Sequence, residues 1–243
     1  MALLRRQGLR FLAGLGMTFR LVAELLAHAG CRSASMSIEA GSPELRNVVL
    51  KRNMSDEIMR ESFAIARKHG ITTHANTILG LPGTMIEDDF ESYRFAKSLG
   101  PTAPTFSIFC PYPRTELTDY AVEQGVLPED FDYNVTYRNK SVLTNYTERE
   151  RDLQLRLSYL AAIFCFMPNF MEPLLKLLIR LPLTRFYSLA EASFETYLRG
   201  LRVFPGAQPK KPLQFIKSGW AAVAYIFRNS RTIVQKDRAA EQT

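Results

Sequence analysis

Cysteine is scarce in this chain. Three occur in 243 residues (Cys31, Cys110 and Cys165), and no C-x2-C or C-x3-C pair is among them. That spacing offers no local metal or cluster motif. An odd, sparse count excludes a secreted disulfide scaffold and points to a reducing, cytoplasmic compartment. Histidine is as rare: His28, His69 and His74 are scattered and read as structural. A long apolar run is also missing. The best stretch, Leu157 to Met171, has 15 uncharged residues and contains Pro168 and Asn169, short of the roughly 18 that a spanning helix needs. Arg5, Arg6 and Arg10 precede a short apolar Phe11–Met17, but Arg20 and Glu24 interrupt its continuation. No small-residue cleavage site is clear, against a signal peptide. Residues 1–173 lack any excess of positive charge, with 19 basic and 20 acidic side chains. The formal net charge of +7 comes from residues 174–243, which carry 12 basic and 4 acidic side chains. A uniformly basic nucleic-acid-binding domain is thereby excluded, and no nucleic-acid motif appears.

What is present is a packable, alternating chain. Apolar residues make up 47% and charged residues 23%, enough for a core and against wholesale disorder. Residues 18–29 have helical apolar spacing closed by Gly30, and residues 32–38 alternate as a strand reaching Glu39. Residues 56–69 read as a helix with Ser55 as N-cap, Ile58, Met59, Phe63 and Ala66 on one face, and Gly70 at its end. Residues 71–79 and 104–109 are rich in strand formers. Between them residues 85–99 read as a helix, with Thr84 and Glu87 as a capping box. Next comes a helix over 115–124, closed by Gly125. This α-β-α-β-α-β-α order predicts a parallel sheet built from βα units. From residue 131 the pattern changes. Residues 131–146 read as irregular. Residues 147–165 read as a helix with a Thr147/Glu150 capping box. Pro168, Pro173 and Pro182 break the next segment into short helices, residues 205–212 form a linker, and residues 213–227 form a last apolar helix.

In parallel βα architectures function gathers at the carboxyl ends of the strands. There the sequence places Glu39-Ala40-Gly41-Ser42-Pro43, Gly80-Leu81-Pro82-Gly83 and Cys110-Pro111-Tyr112-Pro113. Glu39 reads either as an acceptor for ribose hydroxyls or a base, or as a strand-terminal charge reaching water. Arg52 reads as a two-pronged clamp for a carboxylate or as an ordinary surface arginine. The Gly80–Gly83 loop permits close approach of backbone to a ligand, or is simply a tight turn. Cys110, with no base beside it, reads as an inert thiol.

Taken together these motifs resemble the second half of a radical S-adenosylmethionine (SAM) barrel. The nearest likeness is to the group whose members often carry an N-terminal cobalamin-binding domain. The resemblance rests on Ala29-Gly30-Cys31-Arg32-Ser33, Ser37-Ile38-Glu39-Ala40-Gly41-Ser42, Leu50-Lys51-Arg52-Asn53-Met54-Ser55, Ile78 to Thr84 with Glu87-Asp88, and Pro111 to Leu117. These lie in unbroken order over residues 18–127. The likeness implies an α/β fold, a partial TIM-like barrel with parallel strands. Residues 1–130 would be the C-terminal half of that barrel, and residues 131–243 a mainly helical, basic extension. It implies SAM as cofactor, cleaved reductively by a [4Fe-4S] cluster, with cobalamin as a further candidate. It implies that Glu39 contacts the SAM ribose or the substrate and that Arg52 pairs with the methionyl carboxylate. Gly80, Leu81, Pro82 and Gly83 would lie near the adenine, and Cys110 and Tyr112 by adenine or substrate.

The departures carry equal weight. The cluster-binding C-x3-C-x2-C loop, the first three strands and any cobalamin domain are absent from this chain, and Ser37 and Arg114 stand where the family often has glycine. The length therefore reads as the back half of a longer enzyme whose missing N-terminal half, in the same longer chain or a separate subunit, is its expected partner. The chain by itself is expected to be inactive and to expose a strand edge. A non-catalytic remnant serving as a membrane-surface or scaffold module is the alternative. Residues 174–187 and 213–228 combine apolar and cationic residues in a way that suits the inner face of a membrane.

Overall fold

The computed structural model describes residues 19–128, 130–133 and 140–198. Its core is a three-stranded parallel sheet in the order β1 (Ser33–Glu39), β2 (Thr72–Leu79), β3 (Ala103–Ile108). Helix α1 (Phe19–His28) precedes β1, α2 (Asp56–Lys68) joins β1 to β2, and α3 (Ile86–Leu99) joins β2 to β3. The sheet is open. Among the described residues β1 hydrogen-bonds to β2 alone, so the arrangement is mixed α/β and not a closed barrel.

The strands β2 and β3 alternate in burial because one face packs on helices and the other is mostly polar. Ala75, Leu79, Phe106 and Ile108 are buried and meet Met59 and Phe63 of α2 and Phe90, Tyr93 and Ala96 of α3. The opposite face presents His74, Asn76, Thr105 and Ser107, all half-buried. A purely parallel sheet normally has both faces covered by apolar layers; here this face instead borders a cavity, lined also by Ser158, Tyr159, Glu191 and Glu195.

The helices lie close to where sequence periodicity places them. Ser55 caps α2, its hydroxyl accepting from the Ile58 amide at 3.3 Å, although Ile58 itself is exposed. Gly30 takes a positive φ of 80° and ends α1. The cap of α3 lies one residue later than the Thr84/Glu87 spacing predicts. Met85 is the N-cap, and its amide donates to the Asp88 carboxylate at 2.7 Å. Thr84 is instead buried, its hydroxyl donating to the Leu81 carbonyl at 2.9 Å. A one-turn π-helix, Leu45–Val49, has no sequence signal.

After β3, helix α4 (Glu116–Glu123) packs beneath the strand ends. The described parts of 131–146 contain neither helix nor strand. Helix α5 (Glu148–Phe164) starts at the predicted Thr147/Glu150 box, the Thr147 amide donating to Glu150 at 2.8 Å. It lies along β3. A 3-10 turn (Asn169–Met171), α6 (Glu172–Leu178) and α7 (Thr184–Leu198) complete the described chain. Buried Arg156 of α5 ties these together, donating to the Ile179 carbonyl at 3.2 Å and to the Thr184 hydroxyl at 3.0 Å. Among the described residues no helix is long and apolar enough to cross a membrane. The linker and last helix expected over 205–227, like the N-terminal Phe11–Met17 segment, lie outside the described residues.

Gly41 is where α3 comes closest to the first strand-end loop. A Cβ there would lie 2.6 Å from the Ser92 Cα. Gly41→Ala must push the loop off α3 and is expected to cost about 1–3 kcal/mol, read as a lower midpoint in urea unfolding.

Candidate functional site

The three strand-end loops are gathered by a second apolar core. Ala40 comes after β1, Leu81 after β2 and Phe109 after β3; all three pack with Ala121, Leu127, Leu143 and Tyr146. The rim is therefore a packed surface, and its geometry is fixed from below.

The first loop is organised by Arg46, a residue that sequence pattern alone does not single out. It stands in the π-helix with no solvent exposure. One terminal nitrogen donates to the Ala40 carbonyl at 3.0 Å and the Gly41 carbonyl at 3.2 Å, and Nε donates to the Met54 carbonyl at 2.9 Å. The remaining nitrogen pairs with Asp56 at the start of α2. Asn47 adds a two-way bond to Met54, accepting from its amide at 2.7 Å and donating to its carbonyl at 3.2 Å. The segment between these anchors, 51–53, is short and taut. Lys51 and Asn53 adopt φ of 49° and 51°, and Glu39, at a bulge in β1, adopts 64°. Left-handed backbone at a non-glycine residue costs on the order of 1 kcal/mol or more and clusters at functional sites.

Two of the sequence-predicted site residues meet at this strained segment. Arg52 Nη2 lies 3.3 Å from Glu39 Oε1. Glu39 is mostly covered at 15% exposure, while Arg52 at 44% has room to turn outward. A half-exposed guanidinium over a sheltered carboxylate presents a two-pronged donor and an acceptor side by side, which suits a ligand bearing both a carboxylate and hydroxyls.

The remaining predicted residues are placed differently. Leu81 and Pro82 turn their side chains into the core, and the Leu81 carbonyl is occupied by the hydroxyls of Thr84 and Tyr146. Of that loop only Gly83 is exposed. Gly80, at φ 66°, donates its amide to buried Asp89 at 2.7 Å. Cys110 and Tyr112 line a cavity of about 520 Å³ that runs along the polar face of the sheet past Asn76, Thr105 and Ser107. Cys110 is buried, and burial raises its thiol pKa, as fits an inert thiol. His74 also lines the cavity; its position on the polar face, two residues before Asn76, is the signal in the sequence that could have found it. Glu39, Arg52 and Gly80 to Gly83 do not line it. An exposed Lys51–Glu116 pair at 3.0 Å bridges the Arg52 loop to α4. Among the described residues no group of three or more His, Cys, Asp or Glu could hold a metal ion.

Comparison with known proteins adds a direction. No family model matches the chain. An uncharacterized methyltransferase of Pyrococcus horikoshii is 28% identical over 106 residues, covering 44% of this chain and 23% of that protein. The cytidylyl-2-hydroxyethylphosphonate methyltransferase of Streptomyces wedmorensis is 27% identical over 122 residues, covering 47% of this chain and 23% of its own length. The match thus spans less than a quarter of either relative. Both distant relatives are named as methyltransferases.

This geometry leads to two expected outcomes. Arg46→Ala leaves Asp56 and the Ala40 and Gly41 carbonyls without this donor, while the Met54 carbonyl keeps Asn47, and is expected to cost about 3–5 kcal/mol, measured by urea unfolding. Burial pushes the Asp89 carboxyl up to about 7 against only partial relief from the Gly80 amide. The folded chain then holds this proton more tightly than the unfolded one. Its contribution is full below about pH 4 and is lost as pH rises to about 7, by up to about 4 kcal/mol. Asp89→Asn should flatten that part of the stability–pH curve.

Proposed function

We propose that this chain is the C-terminal part of a radical SAM enzyme and that the Glu39–Arg52 rim receives SAM. The observation that carries the reading is the pairing of these two side chains across a strained backbone at the carboxyl end of β1. In this reading the Arg52 guanidinium leaves Glu39 and grips the methionyl carboxylate with two parallel bonds. Glu39, freed on that side, accepts from the ribose hydroxyls. Gly83 and the backbone around it lie beside the adenine, and Cys110 and Tyr112 face the adenine or the substrate at the cavity wall. Arg114 supports the likeness from another side. Its φ of 62° is a conformation that glycine, which the family often has at this position, takes without strain.

SAM, when bound with a reduced [4Fe-4S] cluster, supplies the radical chemistry; the residues here bind and orient. The cluster itself does not fit the described residues. Cys31, Cys110 and Cys165 stand singly, and burial drives the Cys165 thiol up to about 12, far from a thiolate ligand. The cluster ligands, and a cobalamin site if one is used, belong in this reading to an N-terminal half in the same longer chain or in a separate subunit. The names of the two relatives favour methyl transfer over rearrangement.

Ligand-observed NMR with S-adenosylhomocysteine tests the rim. Arg52→Ala is expected to weaken binding about 10- to 100-fold, the value of a charge-assisted bond, and Glu39→Gln to weaken it less. Equal affinity in wild type and both variants overturns the assignment. Anaerobic reconstitution with iron and sulfide should leave the chain without a stoichiometric [4Fe-4S] spectrum. A stoichiometric cluster would refute the assignment of its ligands elsewhere.

A further inference from the structure

Helix α6 and its flanks are apolar on two sides. Leu175 and Ile179 point into the main core with essentially no exposure. Leu174 and Leu177 lie three apart on one face of α6, and Phe170 in the 3-10 turn before it and Leu181 past its end extend this apolar stripe along the chain. That stripe is open, with Phe170 at 81% and Leu177 at 56% exposure. Contiguous exposed apolar surface marks an interaction site, and its surroundings indicate the partner.

The charges around the stripe, over residues 166–186, are three basic against one acidic. Between residues 166 and 186 the sole acid is Glu172. It is consumed internally, by Arg94 at 2.7 Å and Lys176 at 3.2 Å, which hold its carboxyl down to about 2. Arg180 and Arg185 are exposed in the same segment as the stripe. A second copy docked through the same stripe would set these arginines against like charges. A missing barrel half would pair at the edge of β1 that no described strand covers, whereas α6 rests on α5 and is tied to α3 by Arg94.

We infer that this stripe docks the protein on an anionic lipid bilayer, with Phe170, Leu174, Leu177 and Leu181 entering the interface and Arg180 and Arg185 meeting the headgroups. The inference stands apart from the SAM reading, because none of these residues touches the Glu39–Arg52 rim. Flotation of the full chain with vesicles of phosphatidylglycerol and phosphatidylcholine in equal parts tests it. The chain is expected to float with these vesicles at low salt and not with phosphatidylcholine alone. Phe170→Glu combined with Leu177→Glu should cut the bound fraction at least tenfold. Arg180→Gln combined with Arg185→Gln, which leaves the apolar packing untouched, should weaken binding several-fold. Failure to float, or undiminished flotation of both double variants, overturns the inference. So does a lipid-free, concentration-dependent dimer that the first double variant abolishes, which would make the occupant a second copy.

Discussion

A guanidinium with no access to water has to be answered by its neighbours, and the first rim loop is the answer to Arg46. Its three nitrogens are directed at the Ala40, Gly41 and Met54 carbonyls and at Asp56. The loop leaving β1 and the turn entering α2 are thereby held to one point. The segment between them is left with too little slack for relaxed dihedrals, and Lys51 and Asn53 absorb the difference. Buried ion pairs contribute little net stability when set against apolar replacements, and their clearest use is to specify one geometry. Here the geometry specified is the meeting of Arg52 with Glu39.

The same logic extends around the rim. Ala40, Leu81 and Phe109 each come after a strand and each sink into the same small core, so the loops share a common floor. Gly41 lets α3 close against the first loop, donating its amide to the Ser92 hydroxyl at 2.9 Å. Asp89 of α3 reaches the second loop through Gly80. The helix that fills the crossover between β2 and β3 thus sets two of the three loops. The polar face below them stays half-open because neither α2 nor α3 covers it.

The alternation of strands and helices is legible in the sequence because periodicity and capping are local. Ser55, Gly30 and the Thr147/Glu150 box each act within one turn of the backbone. The parallel sheet follows from that order. Arg46 is not legible: in Leu45–Val49 an arginine among aliphatic residues reads as surface, and its burial depends on carbonyls at positions 40, 41 and 54. Asp89 is hidden for the same reason, since an acid in the first turn of a helix is an ordinary sight until Gln154 of a distant helix covers it. The cap at Thr84 is displaced by one position because an acid stands at both 87 and 88, and the second of them makes the bond. Of the site, family likeness assigns Glu39 and Arg52 to different parts of one ligand, and the ion pair between them has no local signal in the sequence. The burial of Leu81 and Pro82 has no local signal at all.

The strained positions also bear on how this chain could be improved or spoiled. A search for sturdier variants would favour glycine at Lys51 or Asn53, because glycine adopts their backbone at no steric penalty. Each such change would relax the turn that pushes Arg52 toward Glu39. Screening for heat resistance alone would therefore select against the Glu39–Arg52 arrangement on which the proposed SAM site rests. A library built here should hold residues 39 and 51–53 fixed and draw its gains from the exposed helical faces.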